Sequence, residues 1–236
     1  MWEKFLFDFH RNFIEDDRWK WLADGLMNTL LIAFFAAILG IAIGFVVAIV
    51  RSTYDKSKLS ERKPGPFMWL LNAICQVYIT VVRGTPVVVQ LMITYYIIFA
   101  SWNNKLLVAV LAFGLNSGAY VAEIVRGGIE SIDQGQMEAG RSLGLSFGTT
   151  MTKIIIPQAF RNSLPSLCNE FISLLKETSV AGYIAIEDLS KGGDIIRSIT
   201  YDPYLPLFAV ALIYLVIVML LSYLVRKLEG RLQHGK

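Results

Sequence analysis

Residues Leu26 to Val50 form 25 consecutive positions without a charged side chain. A helix rises about 1.5 Å per residue, so this run exceeds the hydrocarbon core of a bilayer, about 30 Å thick. In that core only a backbone that satisfies its own hydrogen bonds persists, which leaves helices and closed barrels. The run follows some 25 residues of mixed charge and is too long for the apolar part of a signal peptide, so it is expected to stay in the mature chain. Composition points the same way, since 55% of the 236 residues are hydrophobic and only 17% are charged. The expectation is an all-α integral membrane protein.

Leu205 to Val225 is a second uncharged run, closed by Arg226 and Lys227. Val87 to Trp102 and Leu106 to Val125 are shorter or carry a charge, and Ser163 to Ile186 contains Glu170, Lys176 and Glu177. Orientation comes from the basic residues. Arg51, Lys56, Lys58, Arg62 and Lys63 outweigh Asp55 and Glu61, and Arg226, Lys227, Arg231 and Lys236 crowd the C-terminal end. By the positive-inside rule both stretches are cytoplasmic. A chain that enters the cytoplasm at Arg51 and ends there needs an odd number of spans and an outside N-terminus.

The expected organisation is an extracytoplasmic interfacial arm at 1–24 and a permease domain at 25–228 with a cytoplasmic tail at 229–236. Five spans are placed at about 25–51, 84–102, 105–126, 163–187 and 204–226, with a cytoplasmic loop at 127–157. Phe67 to Val82 is read as an interfacial or kinked helix leading into the second span through Arg83-Gly84-Thr85-Pro86. Cys75 and Cys168 have no CxxC partner and His10 and His234 lie at opposite ends, so no metal site and no disulfide is expected. A formal charge of +3 is a poor argument for nucleic-acid binding.

The loop reads Gln136-Met137-Glu138-Ala139-Gly140-Arg141-Ser142-Leu143-Gly144, then nine residues, then Ile154-Ile155-Ile156-Pro157. Physically this is a short helix of small residues carrying Glu138, a tight turn at Gly144 where positive φ is accessible, and a second short helix ending before Pro157. Such a finger suits insertion into a partner's groove. The segment resembles the EAA loop of ABC importer permeases, with Gly140 in place of the second Ala and Ile156 in place of Leu. Val82 to Gln90, Asn116 to Gly128 and Lys176 to Ser179 are similar to the permeases for glutamine, arginine, histidine and related polar amino acids.

The resemblance implies a second permease subunit, identical or a sister chain, and ABC ATPase subunits that bind ATP and Mg. It also implies an extracytoplasmic substrate-binding protein, a bacterial cytoplasmic membrane, and coupling through Glu138, Ala139, Gly140, Gly144 and Pro157. The chain itself shows no Gly-x-x-x-x-Gly-Lys-Ser/Thr cradle, so it is expected to hold no cofactor and to be no enzyme.

Charged groups inside a span are expensive against lipid and are expected to face protein or water. At 100° per residue Asn162, Ser166, Asn169, Glu170, Ser173, Lys176 and Glu177 share one stripe, while Leu167, Cys168, Phe171, Ile172, Leu174 and Leu175 take the rest. In the third span Phe113, Asn116, Tyr120 and Glu123 recur at three- and four-residue spacing. The two faces are expected to line one path for an amino acid, with Glu170 meeting its ammonium and Lys176 its carboxylate. Three carboxylates, Glu123, Glu170 and Glu177, against one lysine lean the expectation towards arginine, lysine or histidine. The alternative is an ion-coupled secondary transporter or channel in which those carboxylates relay protons or cations.

Overall fold

The computed structural model describes residues 2–59 and 65–233. Glu61, Arg62, Lys63, His234 and Lys236, used above for orientation and site exclusion, lie outside the described residues. Every regular element among the described residues is helical. The N-terminal arm folds as α1 (Trp2–Phe9) and two short turns, with Asp16 and Asp17 at φ 53° and 55° where the chain bends into α2 (Trp19–Leu59). After α2 come α3 (Pro66–Gly84), α4 (Val87–Ile93), α5 (Lys105–Glu130), α6 (Gln134–Ser142) and α7 (Phe147–Thr150), then α8 (Ile156–Glu177), α9 (Leu189–Thr200) and α10 (Leu205–Gln233). Four of these, α2, α3, α5 and α10, are long and apolar enough to cross a membrane.

The helices bear on three of the expected segments. The segment read as an interfacial or kinked helix, Phe67 to Val82, lies in α3, a 19-residue helix that starts with Pro66 in its first turn, where a missing N–H costs nothing. The expected span at 84–102 is instead the 12-residue stretch Val87–Ile98, made of α4 and the π turn Thr94–Ile98. Pro86 separates the two. It biases its predecessor towards extended backbone, and Thr85 sits at φ −126° and ψ 149°. The Thr85 hydroxyl donates back to the Val81 carbonyl at 2.9 Å, so it serves the end of α3. Likewise the expected span at 163–187 begins earlier, at Ile156, and its α-helix ends at Glu177, where a 3-10 turn (Thr178–Ile184) takes over.

The chain divides into two compact units and passes between them after residues 37, 85, 113, 170 and 224. Five transfers leave its two ends in different units. The first unit, Met1–Ala37, Pro86–Phe113 and Phe171–Leu224, is built on Ile32, Leu91, Phe113, Leu174 and Ile184, with a second cluster on Phe13, Leu22, Leu189 and Ile196. Here buried Asn12 donates to Asp202 at 2.8 Å and accepts from Thr200 at 2.8 Å, which ties the N-terminal arm to the α9–α10 connection. Asp188 caps α9 by accepting from the Ser190 and Lys191 amides.

The second unit, Ile38–Thr85, Gly114–Glu170 and Val225–Lys236, is organised by a tight crossing of α2 and α5. A Cβ added at Gly40 would lie 3.0 Å from Ser117 Cβ, and one at Gly44 would lie 2.4 Å from Val121 Cγ1. From the other side Gly114 and Gly118 face Leu39 and Ile43 in the same way. Small residues at four-residue spacing on both helices let the backbones approach closely, the arrangement by which helices associate where apolar burial gives no advantage over lipid. Gly127, further along α5, has no atom within 4 Å of where its Cβ would stand.

Candidate functional site

The finger is assembled from local signals. Asp133 caps α6 by accepting from the Gly135 amide at 2.6 Å, and Ser146 caps α7 by accepting from the Thr149 amide at 3.1 Å. Between them Gly144 sits at φ +80°. The Leu145 amide donates to Gly140 O at 3.1 Å and the Gly144 amide to Arg141 O at 3.0 Å, the paired bonds of a Schellman stop. Gly140 is buried where α6 meets the second helix. A Cβ there would stand 2.5 Å from Thr150 Cγ2, a reason for glycine where the family pattern has alanine. Glu138 and Ala139 face outward, and Glu138 makes no ion pair among the described residues.

The second helix of the finger does not end before Pro157, as the sequence suggested. It runs on from α7 through a π turn (Met151–Ile155) into α8, and Pro157 sits in the first turn of α8. A wider turn tolerates a residue that cannot donate its N–H, so proline here re-registers the helix and does not stop it.

On α8 the polar stripe lies on the open side of the helix. Asn162, Ser166, Asn169 and Lys176 are exposed and Glu170, Ser173 and Glu177 half-buried, whereas Leu167, Ile172, Leu174 and Leu175 are buried. The proposed face of α5 is different. Phe113 is fully buried in the first unit, and in the second Asn116 is 3% exposed, with Tyr120 and Glu123 half-buried. Ser117 of α5 reaches the stripe, where its hydroxyl donates to Glu170 Oε1 at 2.8 Å. Ser117 was missed because it lies one position off the three- and four-residue spacing used to define the face.

Glu123 is enclosed by arginines. Arg126 donates to it through Nε at 3.3 Å and Nη2 at 3.0 Å, Arg83 Nη1 lies at 3.7 Å and Arg51 Nη1 at 3.9 Å. Arg126 also pairs with Glu130, and Arg83 stands 5.3 Å from the centre of the Tyr120 ring. This cluster joins α2, α3 and α5 with three guanidinium groups around two carboxylates, so Glu123 is already compensated. Its helical partner Arg126 was legible at three-residue spacing; Arg51 and Arg83 come from other helices and were not. Among the described residues no group of His, Cys, Asp and Glu side chains is arranged to hold a metal ion.

Residues 66–234 match the model of the binding-protein-dependent transport system inner membrane component family. The arginine transport system permease protein ArtQ of Bacillus subtilis (strain 168) is 36% identical over 90% of this chain and 92% of its own length. The L-cystine transport system permease protein TcyB of the same organism is 35% identical over 93% of this chain and 89% of its own length. The glutamine transport system permease protein GlnP of Escherichia coli (strain K12) is 35% identical over 90% of this chain and 93% of its own length. A solved amino acid ABC transporter with histidines superposes with a TM-score of 0.79 at 37% identity, covering 90% of this chain and 94% of that one. The inward-facing MetNI methionine ABC transporter shares the fold at 18% identity, with a TM-score of 0.74 over 90% and 96% of the two chains. With helices of spanning length and the helix-turn-helix finger between α5 and α8, the chain belongs to the binding-protein-dependent transport system inner membrane component family, as a permease subunit of the amino-acid ABC importers.

Proposed function

We propose that this permease carries polar amino acids, with a preference for cationic ones, along a path lined by Asn169, Glu170, Ser173, Lys176 and Glu177 of α8. Asn116, Tyr120 and Glu123 of α5 stand beside that path as supporting groups. The observation that carries the reading is the open polar stripe on α8, in which Glu170 is oriented by Ser117 while Lys176 stays exposed. A carboxylate and an ammonium on one helix face match the two charged ends of a zwitterion, and Glu177 adds a second carboxylate. The cationic preference no longer draws on Glu123, whose charge its arginines already meet. It is supported by relatives named for arginine and by a neighbour solved with histidines, and it competes with relatives named for cystine and glutamine at similar identity.

Glu138, Ala139, Gly140, Gly144 and Pro157 transmit the closure of ATPase subunits, which bind ATP and Mg, to helices α5 and α8. A second permease subunit completes the path and an extracytoplasmic binding protein delivers the substrate. The chain sits in a bacterial inner membrane with its N-terminus outside and the finger and C-terminus inside. The test is ATPase stimulation and uptake by the reconstituted complex with its binding protein across a panel of amino acids. Stimulation by arginine, lysine or histidine, weakened in Glu170→Gln, is expected. Strong stimulation by glutamine alone removes the cationic preference, and uptake driven by an ion gradient without ATP removes the coupling reading.

A further inference from the structure

The cavity walled by the ends of α2 and α5 and by the finger has a volume of about 570 Å³ and lies wholly within the second unit. Among the described residues its charged lining is acidic: Asp55, Glu130, Asp133 and Glu138. Glu130 is shared with Arg126, and Asp133 accepts from the Gly135 amide. Asp55 and Glu138 have no ion-pair partner among the described residues. A concavity lined by one sign of charge concentrates the opposite sign.

The second observation is Ser52. It is 6% exposed, borders the cavity, and its Oγ has no hydrogen-bond partner among the described residues. A serine within a helix ordinarily turns its hydroxyl to the carbonyl four residues back, and a buried hydroxyl left without a partner is costly. Ile129, Met137 and Ile155 supply apolar wall between the polar groups.

We infer that this cavity binds a small organic cation of the ammonium- or guanidinium-bearing amino-acid class, at a site separate from the stripe on α8. The volume is on the scale of small-molecule sites, about 300–1,000 Å³, and exceeds what one inserted side chain needs. Apolar wall suits an alkyl stem, the carboxylates suit its cationic end, and Ser52 Oγ accepts one of its N–H groups. Among the described residues these carboxylates are not grouped as three or more ligands around one metal position. Because α6 forms one wall, an occupant ties the finger to the ends of α2 and α5. The choice of amino acid as the cation rests on the transport reading above.

The experiment is equilibrium dialysis of radiolabelled L-arginine against the purified permease–ATPase complex. Saturable binding is expected, displaced by L-lysine and not by L-glutamine, and retained in Glu170→Gln. It should weaken about tenfold in Asp55→Asn, since loss of one charge-assisted contact is of that order. Ser52→Leu should abolish it by filling the site; Asp55→Asn decides if that variant does not assemble. Absence of binding, indifference to both substitutions, or loss in Glu170→Gln overturns the inference. So does binding that appears only after the ATPase subunits are stripped off, which would make a basic side chain of the partner the occupant. ATP-driven uptake by the same preparations keeps the two readings apart, because a transporting complex without this binding sinks only the cavity.

Discussion

At the scale of single residues, three side chains make the sharpest cases. Gly140 touches Thr150 so closely that Gly140→Ala is expected to destabilise the finger by about 1–3 kcal/mol, the usual cost of overpacking. Thr150→Ala in the same chain should recover most of it, as read by thermal unfolding of the purified complex. Asp188, fully buried in the connection between α8 and α10, is pushed up by desolvation to about 6 from an ordinary 3.8. A carboxyl raised in the folded state binds its proton more tightly there than in the unfolded chain. Its contribution is therefore most favourable below about pH 4 and is lost as pH rises to about 6, by about 3 kcal/mol in all. Asp188→Asn should flatten that slope and keep the α9 cap, which unfolding measured from pH 4 to 8 will show. Glu123→Gln leaves three arginines short of a counter-charge, so a loss of about 1–3 kcal/mol in stability is expected. Unchanged stability with a raised KM for a cationic substrate would instead make Glu123 a substrate ligand.

At the scale of elements, the α2–α5 crossing has least room. Gly44→Leu places a branched side chain where a Cβ alone would stand 2.4 Å from Val121, and loss of folded protein in detergent is the expected outcome. Val121→Ala should not rescue Gly44→Ala, because Val121 Cβ at 2.6 Å and the Ala122 backbone nitrogen at 2.9 Å would still crowd the added methyl; a normal size-exclusion profile of the double variant would refute a crossing limited by backbone approach. The break between α3 and α4 works differently, through the backbone. Thr85 is extended because a proline follows it, and the Thr85 hydroxyl answers the Val81 carbonyl that the ended helix leaves open. The finger combines both devices, with caps at Asp133 and Ser146, a positive-φ glycine at its turn and a close contact at Gly140.

At the scale of the whole molecule, the finger is the only segment between α5 and α8, so any force on it reaches both helices through the chain itself. Glu138→Lys reverses the charge of an exposed side chain that borders the cavity beside the finger and has no ion pair among the described residues. The complex should assemble, insert and lose most ATP-driven uptake; uptake at the parental rate in an intact complex would remove Glu138 from the coupling role. Cysteines placed at Arg141 and Asp194 should react with an impermeant reagent from the inside and the outside respectively, and labelling of position 141 in intact cells would overturn the orientation with the N-terminus outside.

What consecutive residues could determine by themselves is what depends on consecutive residues. The insertion of α2 and α10 follows from hydropathy summed along one run, and the finger follows from caps, spacing and a glycine in the turn, all within about 20 positions. The stripe on α8 was legible for the same reason, since helical periodicity is a local property. Tertiary structure decided what each polar face meets. Glu123 reads in sequence as a free carboxylate and is in fact shared by arginines from three helices, and Glu170 finds Ser117 53 positions away. The passage of a helix through Pro157 was decided there too. The proline pointed to a boundary, and the energy of a continuous hydrogen-bonded backbone outweighed it because a π turn could absorb the missing N–H.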